Sequence, residues 1–136
     1  MRTCATLAAL GLAVAVAGAA EAARPRYACQ LLPVVLDVEA SGTRYRTEIS
    51  FSNPNEAALG VAVKYTPSMG RVEGAGDGEF SVPGGGQLFV SDGIEFLRQL
   101  GIAVEIAGAD SPQAGTLRIC GLDSLRVPVG VMARVA

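Results

Sequence analysis

From about residue 34 onward, apolar and polar positions alternate in short runs, and turn-forming residues separate the runs. Val34, Leu36 and Val38 take one side of the first run, and Asp37 and Glu39 take the other. A Ser41-Gly42 dipeptide follows, after which Tyr45, Thr47 and Ile49 alternate with Arg44, Arg46 and Glu48. A two-residue hairpin loop at Ser41-Gly42 sets Val38 against Tyr45, Leu36 against Thr47 and Val34 against Ile49 on an apolar face. The same register sets Glu39 against Arg44 and Asp37 against Arg46. Opposite charges directly across a ladder contribute roughly 0.2–1 kcal/mol per pair. The charged residues therefore read as a solvated face with two cross-strand ion pairs, Asp37–Arg46 and Glu39–Arg44.

Asn53-Pro54-Asn55-Glu56 is a turn cluster, and Leu59, Val61, Val63 and Tyr65 alternate after it. A loop centred on Asn55 would lay this third strand on the second, with Phe51 opposite Leu59 and Ile49 opposite Val61. Tyr45 and Tyr65 would then sit in the core, and Lys64 would meet Arg46 as a like-charge contact. Gly70 to Gly78 reads as an exposed glycine-rich loop. Phe80 to Val82 and Leu88 to Val90 read as short strands on either side of Gly84-Gly85-Gly86. Asp92 is placed to cap a short helix with Glu95 at its third position and Gly101 as its stop, and Ile94, Leu97 and Leu100 form its apolar stripe. Ile102–Ile106, Thr116–Cys120 and Val127–Val135 read as further strands. Pro128 cannot donate to a ladder, which puts it at an edge or a bulge. Seven to eight short strands with one short helix predict an all-β chain, an immunoglobulin-like antiparallel β-sandwich, with a partly open barrel as the alternative.

The first residues follow a different grammar. Arg2 precedes an uncharged Ala-, Leu-, Val- and Gly-rich run that ends in Ala20-Glu21-Ala22. That is a basic start, an apolar stretch and a small-residue cleavage site, so residues 1–22 are expected to be a cleaved signal peptide and residues 23–136 one domain. The run is shorter and weaker than the roughly 20 strongly apolar residues of a membrane span. The chain is expected to be exported, periplasmic or extracellular, with no stable membrane anchor after cleavage. Arg26-Tyr27-Ala28 before Cys29 does not match a lipidation signal.

Of the three cysteines, Cys4 leaves with the leader, and Cys29 and Cys120 remain as an even pair in an oxidising compartment. A disulfide between them is expected, with two unbridged buried thiols as the alternative.

Composition narrows the functional classes. The 11 basic and 13 acidic residues give a net charge of −2, and no basic stripe is present, so nucleic acid is not an expected partner. The chain has no histidine, which removes Ser-His-Asp and Cys-His nucleophile systems and the commonest metal ligand. Lys64 has no Ser-x-x-Lys context, and Gly84-Gly85-Gly86 lacks the lysine and hydroxyl of a phosphate-binding loop. Asp37 with Glu39, or Glu48, could act as the acid and base of a glycoside hydrolase, but an arginine across the ladder would keep each acid ionised. Glu73, Asp77, Glu79 and Asp92 lie near glycine-rich loops where oxygen ligands for calcium could converge, without the spacing of a calcium loop. Stacking of sugars is disfavoured by the absence of tryptophan. No cofactor is expected.

Arg46-Thr47-Glu48, Asn53-Pro54, Tyr65-Thr66-Pro67, Gly115-Thr116-Leu117-Arg118 and the closing strand with Arg134 make the chain similar to small exported immunoglobulin-like β-sandwich domains of bacterial surface and secreted proteins. That resemblance implies fold and compartment and leaves the activity open. The expected function is a non-catalytic exported module that binds protein or is structural in the cell envelope or outside the cell, by strand addition at a sheet edge. The alternative is a small extracytoplasmic hydrolase using paired carboxylates.

Overall fold

The computed structural model of the chain describes residues 29–69, 74–108, 111–123 and 128–136. The expected signal peptide lies outside the described residues. Seven strands and one helix follow in order: β1 Cys29–Ala40, β2 Thr43–Ser52, β3 Leu59–Met69, β4 Gly76–Val82, β5 Gln87–Val90, α1 Gly93–Gln99, β6 Gln113–Gly121 and β7 Gly130–Val135. They form one curled antiparallel sheet in the order β4-β3-β6-β1-β2-β5, with β7 also paired to β2.

The β1–β2 hairpin forms at Ser41-Gly42, where both residues adopt positive φ (53° and 75°). Two successive positive-φ residues match the right-handed twist of the flanking strands. The ladder pairs Asp37 with Arg46, Val38 with Tyr45 and Glu39 with Arg44. Beyond it, β2 changes neighbours. Its second half pairs with β5 (Ile49 to Ser52) and with β7 (Thr47 to Ser52). Arg46 and Ala136 exchange backbone hydrogen bonds at 2.9 Å in both directions. β7 therefore lies on the edge of β2 away from β1, and β5 takes over the edge that β1 leaves.

Three expectations are corrected. First, β3 does not pair with β2, so the three-stranded meander is absent. β3 pairs with β4 and β6, which with β1 and the start of β2 make the larger layer of the curled sheet, while β5, β7 and the second half of β2 make the smaller. The Asn53–Glu56 segment is an arch between layers, held by the buried Asn53 side chain, whose amide nitrogen donates towards the carbonyls of Ala57, Val82 and Pro83 at 2.9, 3.0 and 3.1 Å. A turn cluster in sequence is compatible with a hairpin or an arch, and these long-range bonds select the arch.

Second, Ile102 to Ile106 is not a strand. Val104 donates its N–H to Ile102 O at 2.8 Å, a tight local turn that withdraws the backbone from any ladder. Ile102 and Val104 are nonetheless buried. The segment reaches over β4, where a side chain at Gly78 would come within 2.9 Å of Leu100 and one at Gly76 within 3.1 Å of Ile102. Those glycines thus belong to a strand that needs bare backbone, not to an exposed loop.

Third, the pleat of β1 reverses near Pro33, where the β1–β6 register shifts between Leu32 and Val35. Proline has no N–H for the ladder, and a bulge there turns successive side chains to the opposite face. Val34 is exposed and Val35 is fully buried.

The two layers share a single core built from Val35, Ile49, Phe51, Leu59, Val61, Val63 and Tyr65 together with Leu117 and Ile119. Phe51 of β2, Phe80 of β4 and Phe96 of α1 meet as a ring cluster, with centroids 4.8 Å apart for Phe51–Phe80 and 5.2 Å for Phe80–Phe96. Such contacts add about 0.5–1.5 kcal/mol per pair beyond area burial. Helix α1 closes one side against β1 and β2. Gly93 allows this approach, since a side chain there would lie 2.9 Å from Val35 and 3.2 Å from Ile49.

Candidate functional site

The acid and arginine cluster singled out by the sequence gathers at the start of α1. Asp37 lies on the Val35 side of β1 and is only 3% exposed, so the solvated-face expectation is corrected: α1 and the core cover that side of the strand. Its two carboxylate oxygens accept from Arg44, from Nε at 2.7 Å and from Nη2 at 2.6 Å. That bidentate bond pushes the Arg44 guanidinium above its already high value. Arg46, directly across from Asp37, is 3.8 Å from it at Nε and 3.3 Å from Asp92 Oδ2. The buried Nε makes no hydrogen bond of good geometry, so Arg46 balances charge between two acids without bonding tightly to either. Glu39 keeps its register position opposite Arg44 but stays exposed, because Arg44 turns to Asp37. The arrangement ties the hairpin to the helix cap.

The other candidate residues disperse. Lys64, Asp77 and Glu79 are exposed on the outer face of β3 and β4, Asp92 caps α1, and Glu73 lies outside the described residues. Among the described residues no group of three His, Cys, Asp or Glu side chains is placed to hold a metal ion. Tyr45 is 41% exposed, contrary to its expected place in the core, whereas Tyr65 is fully buried. Gly84 approaches the Glu56 carbonyl so closely that a side chain would lie 1.9 Å from it, and Gly85 N–H donates to Asn55 O at 2.7 Å. The triple glycine therefore locks the interlayer arch.

Cys29 and Cys120 are directly opposite across the β1–β6 ladder and are joined by a disulfide. The registers place this bond in a regular array on the outer face of the larger layer. One row runs Leu31, Arg118, Lys64, Asp77, and the next runs Cys29, Cys120, Ala62, Glu79. Leu122, whose N–H donates to Gly60 O at 2.9 Å, bounds the second row on its other side. Ala62, short between the disulfide and Glu79, leaves a depression of about 570 Å³ lined by the disulfide, Lys64, Arg118 and Leu122, with Asp77 and Glu79 at its β4 end. Lys64 and Arg118 face each other as like charges, and neither makes an ion pair among the described residues. Arg118 Nη2 points instead at Cys29 Sγ, 3.6 Å away.

No family model, no curated protein and no solved structure matches this chain. Its chemistry rests on its own geometry.

The smaller layer carries the second surface. Phe89 of β5 and Met132 of β7 both lie opposite Ser50 of β2 and are 62% and 76% exposed. Between them lies a shallow groove of about 260 Å³, bounded by the Glu48–Arg134 ion pair. Among the described residues β7 pairs only with β2. Because Arg46 and Ala136 are a doubly bonded pair, the strand period directs the N–H groups of Val131, Ala133 and Val135 away from β2, to the open edge. Sequence reasoning gave Phe89, Met132 and Ala62 no role and named Arg118 only within the Gly115–Arg118 motif. Alternation places Phe89 and Met132 outward, but their meeting across Ser50 depends on β5 and β7 flanking one strand.

Proposed function

We propose that the chain is an exported, non-catalytic module, made with a cleavable leader, whose curled sheet is an immunoglobulin-like sandwich and which binds a protein partner by accepting a strand along β7. The observation that carries this reading is the edge of β7. It offers three outward N–H groups, contains no proline, carries one charge (Arg134), and adjoins the exposed Phe89–Met132 groove. An unprotected edge of this kind is a template for an added strand, with main-chain hydrogen bonds giving affinity and neighbouring side chains giving choice of partner. The state of the acids supports it over carboxylate hydrolysis: Asp37, Asp92, Glu48 and Glu95 each face an arginine. The Cys29–Cys120 bond agrees with an oxidising compartment. Among the described residues, no helix is long and apolar enough to cross a membrane.

The test uses tagged residues 23–136 as bait against envelope and secreted fractions of the producing cell. Ala133→Pro removes one outward N–H and leaves the bonds to β2 intact, which edge positions tolerate. A protein retained near one-to-one by the unaltered chain and lost with Ala133→Pro is the expected result. Equal retention by both, or retention by neither, removes the strand-addition reading.

A further inference from the structure

We infer that the Cys29–Cys120 disulfide is a thiol–disulfide exchange centre for small anionic thiols, with Cys120 as the sulfur attacked and Cys29 as the leaving group. This centre lies on the outer face of the larger layer and is independent of strand addition at β7.

Exchange proceeds when a thiolate attacks one sulfur in line with the S–S bond while the other leaves as thiolate, and stabilising the leaving thiolate speeds it. Both requirements have a structural counterpart here. Cys29 is exposed, and its Sγ has the Arg118 guanidinium 3.6 Å away, a fixed positive charge where the departing electron pair would accumulate. Ala62 and Cys29 are the two ladder partners of Cys120, so Ala62 is the neighbour of Cys120 on the side away from Cys29, the side from which a thiolate would attack. A methyl group at that position leaves the in-line approach to Cys120 open through the depression of about 570 Å³. Lys64 and Arg118 border that approach one row away, and Asp77 and Glu79 lie at the far, β4 side. The two cations favour a thiol that carries a negative group in addition to its thiolate.

The step balances without a further reagent. The entering thiolate sulfur forms a bond to Cys120 Sγ, the Cys29–Cys120 bond breaks, and its electron pair remains on Cys29 Sγ beside Arg118. The product is a mixed disulfide on Cys120 with a free Cys29 thiolate, and no net oxidation or reduction has occurred. A second thiolate attacking the outer sulfur of the mixed disulfide releases the symmetrical small disulfide and leaves both cysteines reduced.

The experiment follows the reaction of the folded full chain with 2-mercaptoethanesulfonate, an anionic thiol, and with cysteamine, a cationic one. Acid quenching, alkylation and peptide mass spectrometry locate the adduct. The expected adduct is on Cys120 with Cys29 alkylated, forming faster with the anionic thiol at low salt. Arg118→Gln should slow the anionic thiol about tenfold through loss of leaving-group stabilisation. Ala62→Leu, a change on the outer face, should block both thiols. An adduct on Cys29, rates indifferent to both substitutions, or reduction no faster than global unfolding would each overturn the inference. Circular dichroism of both variants confirms that they are folded.

Discussion

Tyr65 is fully buried, and its hydroxyl has no hydrogen-bond partner among the described residues. Burial pushes its ionisation up to about 12 from the usual value near 10. Because the folded value is the higher one, the unfolded chain releases this proton first. The contribution to stability is complete below about pH 10 and is lost as pH rises from about 10 to about 12, a change of roughly 2–3 kcal/mol. Tyr65→Phe should keep or raise stability at pH 8 and flatten that loss, read as the difference between urea midpoints of the two proteins across the alkaline range. Coincident curves would show that the phenol is not buried. Tyr65 was assigned to the core by alternation alone, and the residue-by-residue pairing of Asp37 with Arg46 was likewise legible. Which face Asp37 occupies was not, because a ladder fixes which residues lie opposite each other and not which side of the sheet the core and α1 cover, and they cover the side of Val35 and Asp37. Arg44 then finds Asp37, instead of the Glu39 directly across the ladder.

Helix α1 shows how much local chemistry fixes at the scale of an element. Asp92 Oδ1 accepts from Glu95 N–H at 3.0 Å, and Gly101 follows the helix with a positive φ, as the sequence indicates. The Glu95 side chain pairs with Arg98 one turn on, and Ile94 and Leu97 are buried while Leu100 is only partly so. The cap has a second duty that local sequence does not reveal, since Asp92 Oδ2 also faces Arg46. Asp92→Ala should therefore cost more than the roughly 1 kcal/mol of a lost cap. Asp92→Asn preserves the cap geometry and should cost less than half as much in chemical denaturation. If Asn proves as damaging as Ala, the charge contact with Arg46 and not the cap is what matters. The segment after the helix marks the limit of such reading. Ile102 and Val104 carry strand-like spacing, but they pack over the bare backbone of Gly76 and Gly78, which stand far earlier in the chain.

Across the whole molecule, the disulfide joins residues 91 apart in sequence and fastens β1 to β6 at the middle of the larger layer. Opening a loop of that length raises the entropy of the unfolded chain, with an upper bound of about 4–5 kcal/mol in the chain-entropy model. The double variant Cys29→Ser with Cys120→Ser should lower the urea midpoint by a corresponding 2–4 kcal/mol in practice. An unchanged midpoint would assign the bond no structural role and leave only its chemistry. The strand alternation, the turns, the hairpin register and the helix cap are properties of neighbours in sequence and could be read there, and the candidate cysteine pair followed from the count of cysteines left after the leader. The order of strands, the transfer of β2 from β1 to β5, and the arch at Asn53 depend on contacts between distant residues. So do the row of Arg118, Lys64 and the disulfide, and the meeting of Phe89 with Met132 across Ser50. Those features emerge only on folding, because period-two patterning says which side of a strand is apolar and nothing about which strand lies beside it.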